Sequence, residues 1–325
     1  MSDKSQLHLV DSFFPERVNT RSAEFLRQID RILDWDALAG VVAGLDRTGP
    51  QGGRPRHSPR LMVRALFLQH LYALSDPQLE EQVNDRLSFR EFLGLGMSGK
   101  APDFTSIWKF KDELAKAGLS GRLFEEVNRQ LDAHGLIVRR GTIVDATMVA
   151  SANRNVAPAG RGRLLDNPQV DTDARKGAKG PGRYTFGYKA HVGVDAGSGL
   201  IRRRALTGAN VHDSRMTEAL CSGDEKALFG DKAYYDRRHK AMARQEGWFY
   251  GVLERAAVGY PLSAGQHRRM SAIRAQVEHP FAWMKAQARR LHARCKSMAK
   301  NALVLDLCCM CWNLSRARVL MARGA

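Results

Sequence analysis

Three carboxylates stand where a carboxylate is expensive. Asp145 sits inside Gly141-Thr142-Ile143-Val144-Asp145-Ala146-Thr147-Met148-Val149, whose apolar and β-branched residues read as a buried strand. Asp231 ends the short apolar run Leu228-Phe229-Gly230, and Glu278 lies among apolar neighbours in Gln276-Val277-Glu278-His279-Pro280-Phe281. A charge in such surroundings needs a metal, a cation or a catalytic task. Oxygen ligands without histidine or thiolate favour Mg²⁺, with Mn²⁺ as substitute, over zinc. Two such ions roughly 4 Å apart would activate an attacking oxygen and stabilise a leaving one in phosphoryl transfer. Asp145, Asp231 and Glu278 are therefore the expected metal ligands and catalytic groups.

Arg274 and Lys285 add a constraint. Spacings of four and seven residues bring Arg274, Glu278 and Lys285 to within about 40° on one helix face. The carboxylate would then be either a salt-bridge partner of two cations or a metal ligand flanked by phosphate clamps. Pro280 breaks or kinks that helix unless it falls in the first turn.

The elements that must position these groups come from a chain of 325 residues, 44% hydrophobic, which can bury a real core. Lys and Arg number 51 against 34 acidic residues, a formal +17, so the expected partner is a polyanion, DNA first. No apolar run approaches the roughly 18 to 20 residues of a membrane span, and the polar start Met1-Ser2-Asp3-Lys4 does not read as a signal peptide. We expect no membrane partner and a cytoplasmic, nucleoid-associated protein. Cys308, Cys309 and Cys311 lack a second CxxC pair and read as reduced, buried helix residues.

Along residues 1–135 the texture is helical. Apolar residues recur at three- and four-residue steps from Ser22 to Val42, Ser58-Pro59 and Ser75-Asp76-Pro77 read as helix starts, and Ser88-Phe89-Arg90-Glu91 has capping-box spacing. Pro102 to Lys111 opens a further helix after a glycine-rich turn, compatible with a helix-turn-helix in which Lys109 and Lys111 contact DNA. Over 136–325 strands take over. We expect strands at 142–149, 187–194 and 200–207 as an antiparallel meander, then 227–229 and 248–253 alternating with helices, and a helical tail from about Ser271. The segment Ala152 to Arg183 reads as a long basic loop on a phosphate backbone, Arg154, Arg161, Arg163, Arg175, Lys176, Lys179 and Arg183 outnumbering Asp166, Asp171 and Asp173. The tail from Met284, with Lys285, Arg289, Arg290, Arg294, Lys296, Lys300, Arg316, Arg318 and Arg323 against Asp306 alone, reads as basic helices lying partly against DNA. The order βββαβαβα is that of a ribonuclease H-like domain: an α/β fold with a mixed five-stranded sheet, here preceded by an all-helical N-terminal DNA-binding domain. In that fold the first and fourth strands are neighbours, so Asp145 and Asp231 can meet.

Taken together, "GTIVDAT" around Asp145, "FGDKAYYD" around Asp231 and "RAQVEHPFAWMK" around Glu278 resemble the catalytic motifs of the DDE transposases of bacterial insertion sequences, in the insertion-sequence-five group. The "GYKAHVGVDAGSGLI" hairpin, "NVHDS" at Asn210–Ser214, "PDFTSIWKFKDEL" and the long helical stretch from Arg60 are similar to that group as well, so the resemblance spans nearly the whole chain. Arg274, Glu278 and Lys285 fit the broader superfamily's Tyr, Arg, Glu, Lys signature, but Ser271 stands at the tyrosine position. The resemblance implies a transposase that binds terminal inverted repeats, cuts DNA by metal-activated hydrolysis with two Mg²⁺ ions, and transfers 3′-hydroxyl ends to target DNA as a synaptic homodimer. Expected DNA contacts are Arg274, Lys285, Arg289, Lys189, His191, Lys109 and Lys111. The alternatives are a metal-dependent DNA nuclease without strand transfer and a non-catalytic DNA-binding remnant.

Overall fold

The computed structural model describes residues 19–45, 56–152, 171–178, 184–253, 264–289, 291–293 and 295–324. The chain divides into two compact units, Met1–Gln130 and Leu131–Ala325.

The described part of the first unit is helical: α1 (Arg21–Asp30), α2 (Trp35–Val42), α3 (Pro59–Leu71), α4 (Asp76–Asp85), α5 (Leu87–Leu93) and α6 (Phe104–Lys116), with α7 (Ser120–Ala133) running past its end. The periodic stretch from Ser22 to Val42 is two helices rather than one. Asp34 restarts the chain, its carboxylate accepting from Asp36 N at 2.9 Å and Ala37 N at 3.1 Å. Ser58 and Ser75 cap α3 and α4, and Ser75 with Gln78 forms a full capping box. Ser88 does not cap α5. It lies buried within that helix, whose N-cap Arg86 makes no side-chain cap bond. Asp103 caps α6, and its hydrogen bonds from Thr105 and Ser106 hold its carboxyl well below the usual carboxylate range. Trp35, Phe67 and Phe92 meet edge to face in the core, and Arg64 lies over Trp35 and Phe92 while pairing with Asp30.

The second unit is built on a six-stranded mixed sheet: β1 (Thr142–Ala150), β2 (Arg175–Ala178), β3 (Tyr184–Asp195), β4 (Ile201–Gly208), β5 (Ala227–Gly230) and β6 (Phe249–Val252). β1, β3 and β4 pair antiparallel, whereas β5 joins β1 and β6 joins β5 in parallel. The sheet thus has one strand more than the five expected. The sixth, β2, lies within the segment read as a loop, pairing Arg175–Ala178 with Gly187–Tyr184. Most of that basic segment lies outside the described residues; its described end is anchored. Tyr188 donates to buried Asp171 at 2.7 and 2.8 Å, and Asp173 accepts from Met298 N at 2.8 Å. Gly187 allows close approach, since a Cβ there would stand 2.2 Å from the Val149 carbonyl oxygen.

Helices α8 (Thr217–Leu220), α9 (Arg237–Glu246), α10 (Ala264–Arg274), α11 (Glu278–Arg289) and α12 (Met298–Gly324) complete the unit. α12 is a core helix: Leu307, Cys308, Cys309, Met310, Cys311 and Leu314 are fully buried, and the cysteines are not disulfide-bonded. Asn313 on α12 bonds both backbone groups of Ile201 in β4, each at 2.8 Å. The tail is therefore less available to a partner than its charge implies: Arg316 donates to the Ser198 carbonyl at 2.7 Å, and Asp306 pairs with Arg204. No helix among the described residues is long and apolar enough to cross a membrane.

Candidate active site

Strand register brings the first two carboxylates together. β1 and β5 run parallel with Ile143 opposite Phe229, so two further steps along each chain set Asp145 beside Asp231. Gly230 keeps that junction tight, because a Cβ there would meet Val144 at 3.0 Å. Asp145 accepts from Ala146 N at 2.7 Å, and Asp231 caps the short turn Lys232–Tyr234 by accepting from Ala233 N at 2.8 Å. Burial pushes the Asp145 carboxyl up to about 6, with Asp231 and Asp213 raising it further, while the Ala146 N–H and Arg274 pull it down. A half-buried carboxylate with two acidic neighbours is a site that attracts a cation.

The segment carrying Glu278 packs on the same strand. Lys285 of α11 donates to the Thr147 hydroxyl, two residues beyond Asp145 and on the same face of β1. Arg274 and Glu278 do not share one continuous helix. α10 ends at Arg274, a 3₁₀ turn spans Ala275–Val277, and α11 begins at Glu278, which puts Pro280 in a first turn where it is tolerated. Glu278 itself is exposed. Among the described residues, no three His, Cys, Asp or Glu side chains stand close enough to share one metal ion. The register of β1 and β5 thus sets Asp145 beside Asp231, and Glu278 opens the helix that Lys285 ties to β1.

Two expected DNA contacts face the wrong way. Lys189 and His191 pair across the ladder with Met148 and Ala146, so they lie on the strand face opposite Asp145 and Thr147. Lys189 is buried, donating to the Val211 carbonyl at 2.8 Å and to Asp213 at 3.0 Å. His191 is fully buried against Thr207 at 2.9 Å, and burial lowers its pKa to about 4, so it carries no charge for a phosphate. In the helical unit Lys109 is exposed on α6, while Lys111 is paired with Asp76. Arg289 closes α11, and its side chain lies outside what is described.

Asp213 is an acidic residue that sequence reasoning missed. It opens a 3₁₀ turn after β4, holds Lys189, stands 3.8 Å from the His191 ring and acts on Asp145. Its one signal in the sequence is the "NVHDS" motif. Nearby, the hydroxyl of Tyr234 is buried with no hydrogen-bond partner among the described residues, and burial followed by Asp213, Asp145 and Asp231 raises its pKa, so it stays a neutral donor. An unpaired buried hydroxyl beside carboxylates is an opening for an oxygen ligand, and the all-oxygen donor set of Asp145 and Asp231 fits a hard divalent cation.

Two family models match this chain. Residues 12–113 match the family described as Transposase domain (DUF772), and residues 137–314, more than half of the 325, match the Transposase DDE domain.

Proposed function

The chain belongs to the DDE transposase family, and from that membership we propose that it binds the terminal inverted repeats of an insertion sequence of the insertion-sequence-five group, cleaves DNA and transfers the 3′-hydroxyl ends to a target. Membership carries DNA as substrate, recombination by transposition, and the ribonuclease H-like architecture of the DDE domain. The observation that supports the chemistry best is the parallel register of β1 and β5, which runs Asp145 beside Asp231, with burial and the Asp231 charge disfavouring the ionised Asp145 carboxyl in the absence of a cation.

In this reading Asp145, Asp231 and Glu278 hold two Mg²⁺ ions, with Mn²⁺ as substitute. When bound, the ions supply the charge that activates the attacking oxygen and stabilises the leaving one. The protein's own residues do the rest. Arg274 offsets negative charge at Asp145, and Lys285 ties α11, with Glu278 at its start, to β1 through Thr147. The helical residues 1–135 would read the repeat ends, residues 136–325 would cut, and a homodimer would pair two ends, acting on DNA in the cytoplasm at the nucleoid.

The test uses the DNA flanking the gene as paired ends. Asp145→Ala, Asp231→Ala and Glu278→Ala should each abolish cleavage and strand transfer while end binding in a gel shift stays largely intact. Near-normal cleavage by one variant removes that residue from the site. Wild-type cleavage without joined products favours the nuclease reading, and binding without cleavage favours the remnant.

A further inference from the structure

With Lys189 and His191 turned inward, the surface beside Asp231 has to be sought elsewhere. The short turn that Asp231 caps leads within a few residues to α9, whose sequence is Arg237-Arg238-His239-Lys240-Ala241-Met242-Ala243-Arg244-Gln245-Glu246. Ala243 is its buried contact, so the helix packs on one side and shows the other to solvent. At 100° per residue, Arg237, Lys240 and Arg244 fall within an arc of about 60°, and they span about 10 Å along the axis. All three are exposed, and the guanidinium groups of Arg237 and Arg244 make no ion pair or side-chain hydrogen bond among the described residues. Glu246, the only acidic residue of the helix, lies nearly half a turn around from this stripe and accepts from the Trp248 indole at 3.0 Å.

We propose that this stripe on α9, with exposed Lys232 next to Asp231, is the track that holds the phosphate backbone of the DNA strand at the carboxylate site. The inference rests on DNA being the substrate. Asp145, Asp231 and Asp213 form a region of negative charge that repels an approaching polyanion, and a strand can be seated there only if nearby cations offset the repulsion. A row of cations at steps of three and four residues meets a backbone whose charges also come in a row. An acidic membrane surface could attract the same cations, but it is flat and would gain nothing from their position next to Asp231.

The test is binding of the full-length protein to a linear duplex of arbitrary sequence across a salt series. For wild type, log affinity should fall steeply with log salt, and removing the cation that neutralises one phosphate should flatten the slope by about 0.9. The triple variant Arg237→Gln, Lys240→Gln, Arg244→Gln should lower the slope by about 2 to 3 on that basis. Arg203→Gln, an exposed cation on β4, should keep the wild-type slope. Melting curves identify a variant that has not folded, in which case the single changes Arg237→Gln and Arg244→Gln are read instead, each expected to lower the slope by about 1. A steep wild-type slope that the variants leave unchanged overturns the α9 track while DNA remains the substrate. A shallow wild-type slope overturns the DNA reading itself. Loss of binding to phosphatidylserine vesicles with an unchanged DNA slope also overturns the track, in favour of a membrane surface.

Discussion

Lys189 and Arg237 contribute equally to the formal charge of +17, and each is a cation that a polyanion could be expected to meet. They end in opposite environments. Lys189 is buried, bonded to Asp213 and to a backbone carbonyl, whereas Arg237 is exposed with no charge partner among the described residues. The first is a structural cation and the second is available to a ligand. Net charge counts both equally, so it forecasts the partner and says nothing about which residues meet it. Strand parity decides for Lys189, because its ladder partner Met148 has the opposite parity to Asp145.

Removing charges in turn sharpens that contrast. Lys189→Ala should cost about 3 kcal/mol, because it leaves Asp213 without its ion pair in a mostly buried setting. Urea denaturation gives the number, and a loss below about 0.5 kcal/mol would put Lys189 in the same class as Arg237.

Asp145→Asn should act in the other direction. The folded carboxyl titrates at about 6 instead of near its ordinary value of 3.8, so ionising it opposes folding. That opposition is absent below about pH 4, grows as pH rises through the interval, and is complete above about 6. In the cation-free protein, the asparagine variant should match wild type at about pH 4 and exceed it by about 1 to 3 kcal/mol near pH 8. Equal stability at both pH values would show that Asp145 is not desolvated.

Smaller effects are expected where no partner is removed. Tyr234→Phe deletes a hydroxyl that has no hydrogen bond among the described residues, so stability should stay level or rise by up to about 1 kcal/mol. A clear loss by calorimetry would reveal a bonding partner, such as an ordered water. Arg237→Ala should lie within about 0.5 kcal/mol of wild type in thermal melts, as exposed substitutions usually do.

Much of the catalytic sheet is legible in the sequence. The alternation of Tyr188 to Asp195 and of Ile201 to Leu206 marks β3 and β4, although β3 is buried throughout from Gly187 to Asp195, and the β-branched run around Asp145 marks β1. β2 leaves no such mark. Arg175-Lys176-Gly177-Ala178 is polar, and it is a strand only because the start of β3 offers it an unpaired edge. Asp145 and Asp231 are legible because each interrupts an apolar run, and fold topology makes their strands neighbours. Asp213 is not, since an aspartate after His212 at the start of a helix looks like ordinary capping chemistry. The facing of Lys189 and His191 is hidden for another reason: it depends on register, which only the paired strand supplies.

Asn313 has a consequence for self-association. Among the described residues β4 pairs only with β3, so its other side is an edge from which another chain's strand could continue the sheet. The side-chain amide of Asn313 has the same donor and acceptor as a peptide group, and it occupies both the N–H and the C=O of Ile201. A single residue of α12 thus imitates one rung of a neighbouring strand at Ile201, next to the register shift that β4 makes against Gly193 and Val194.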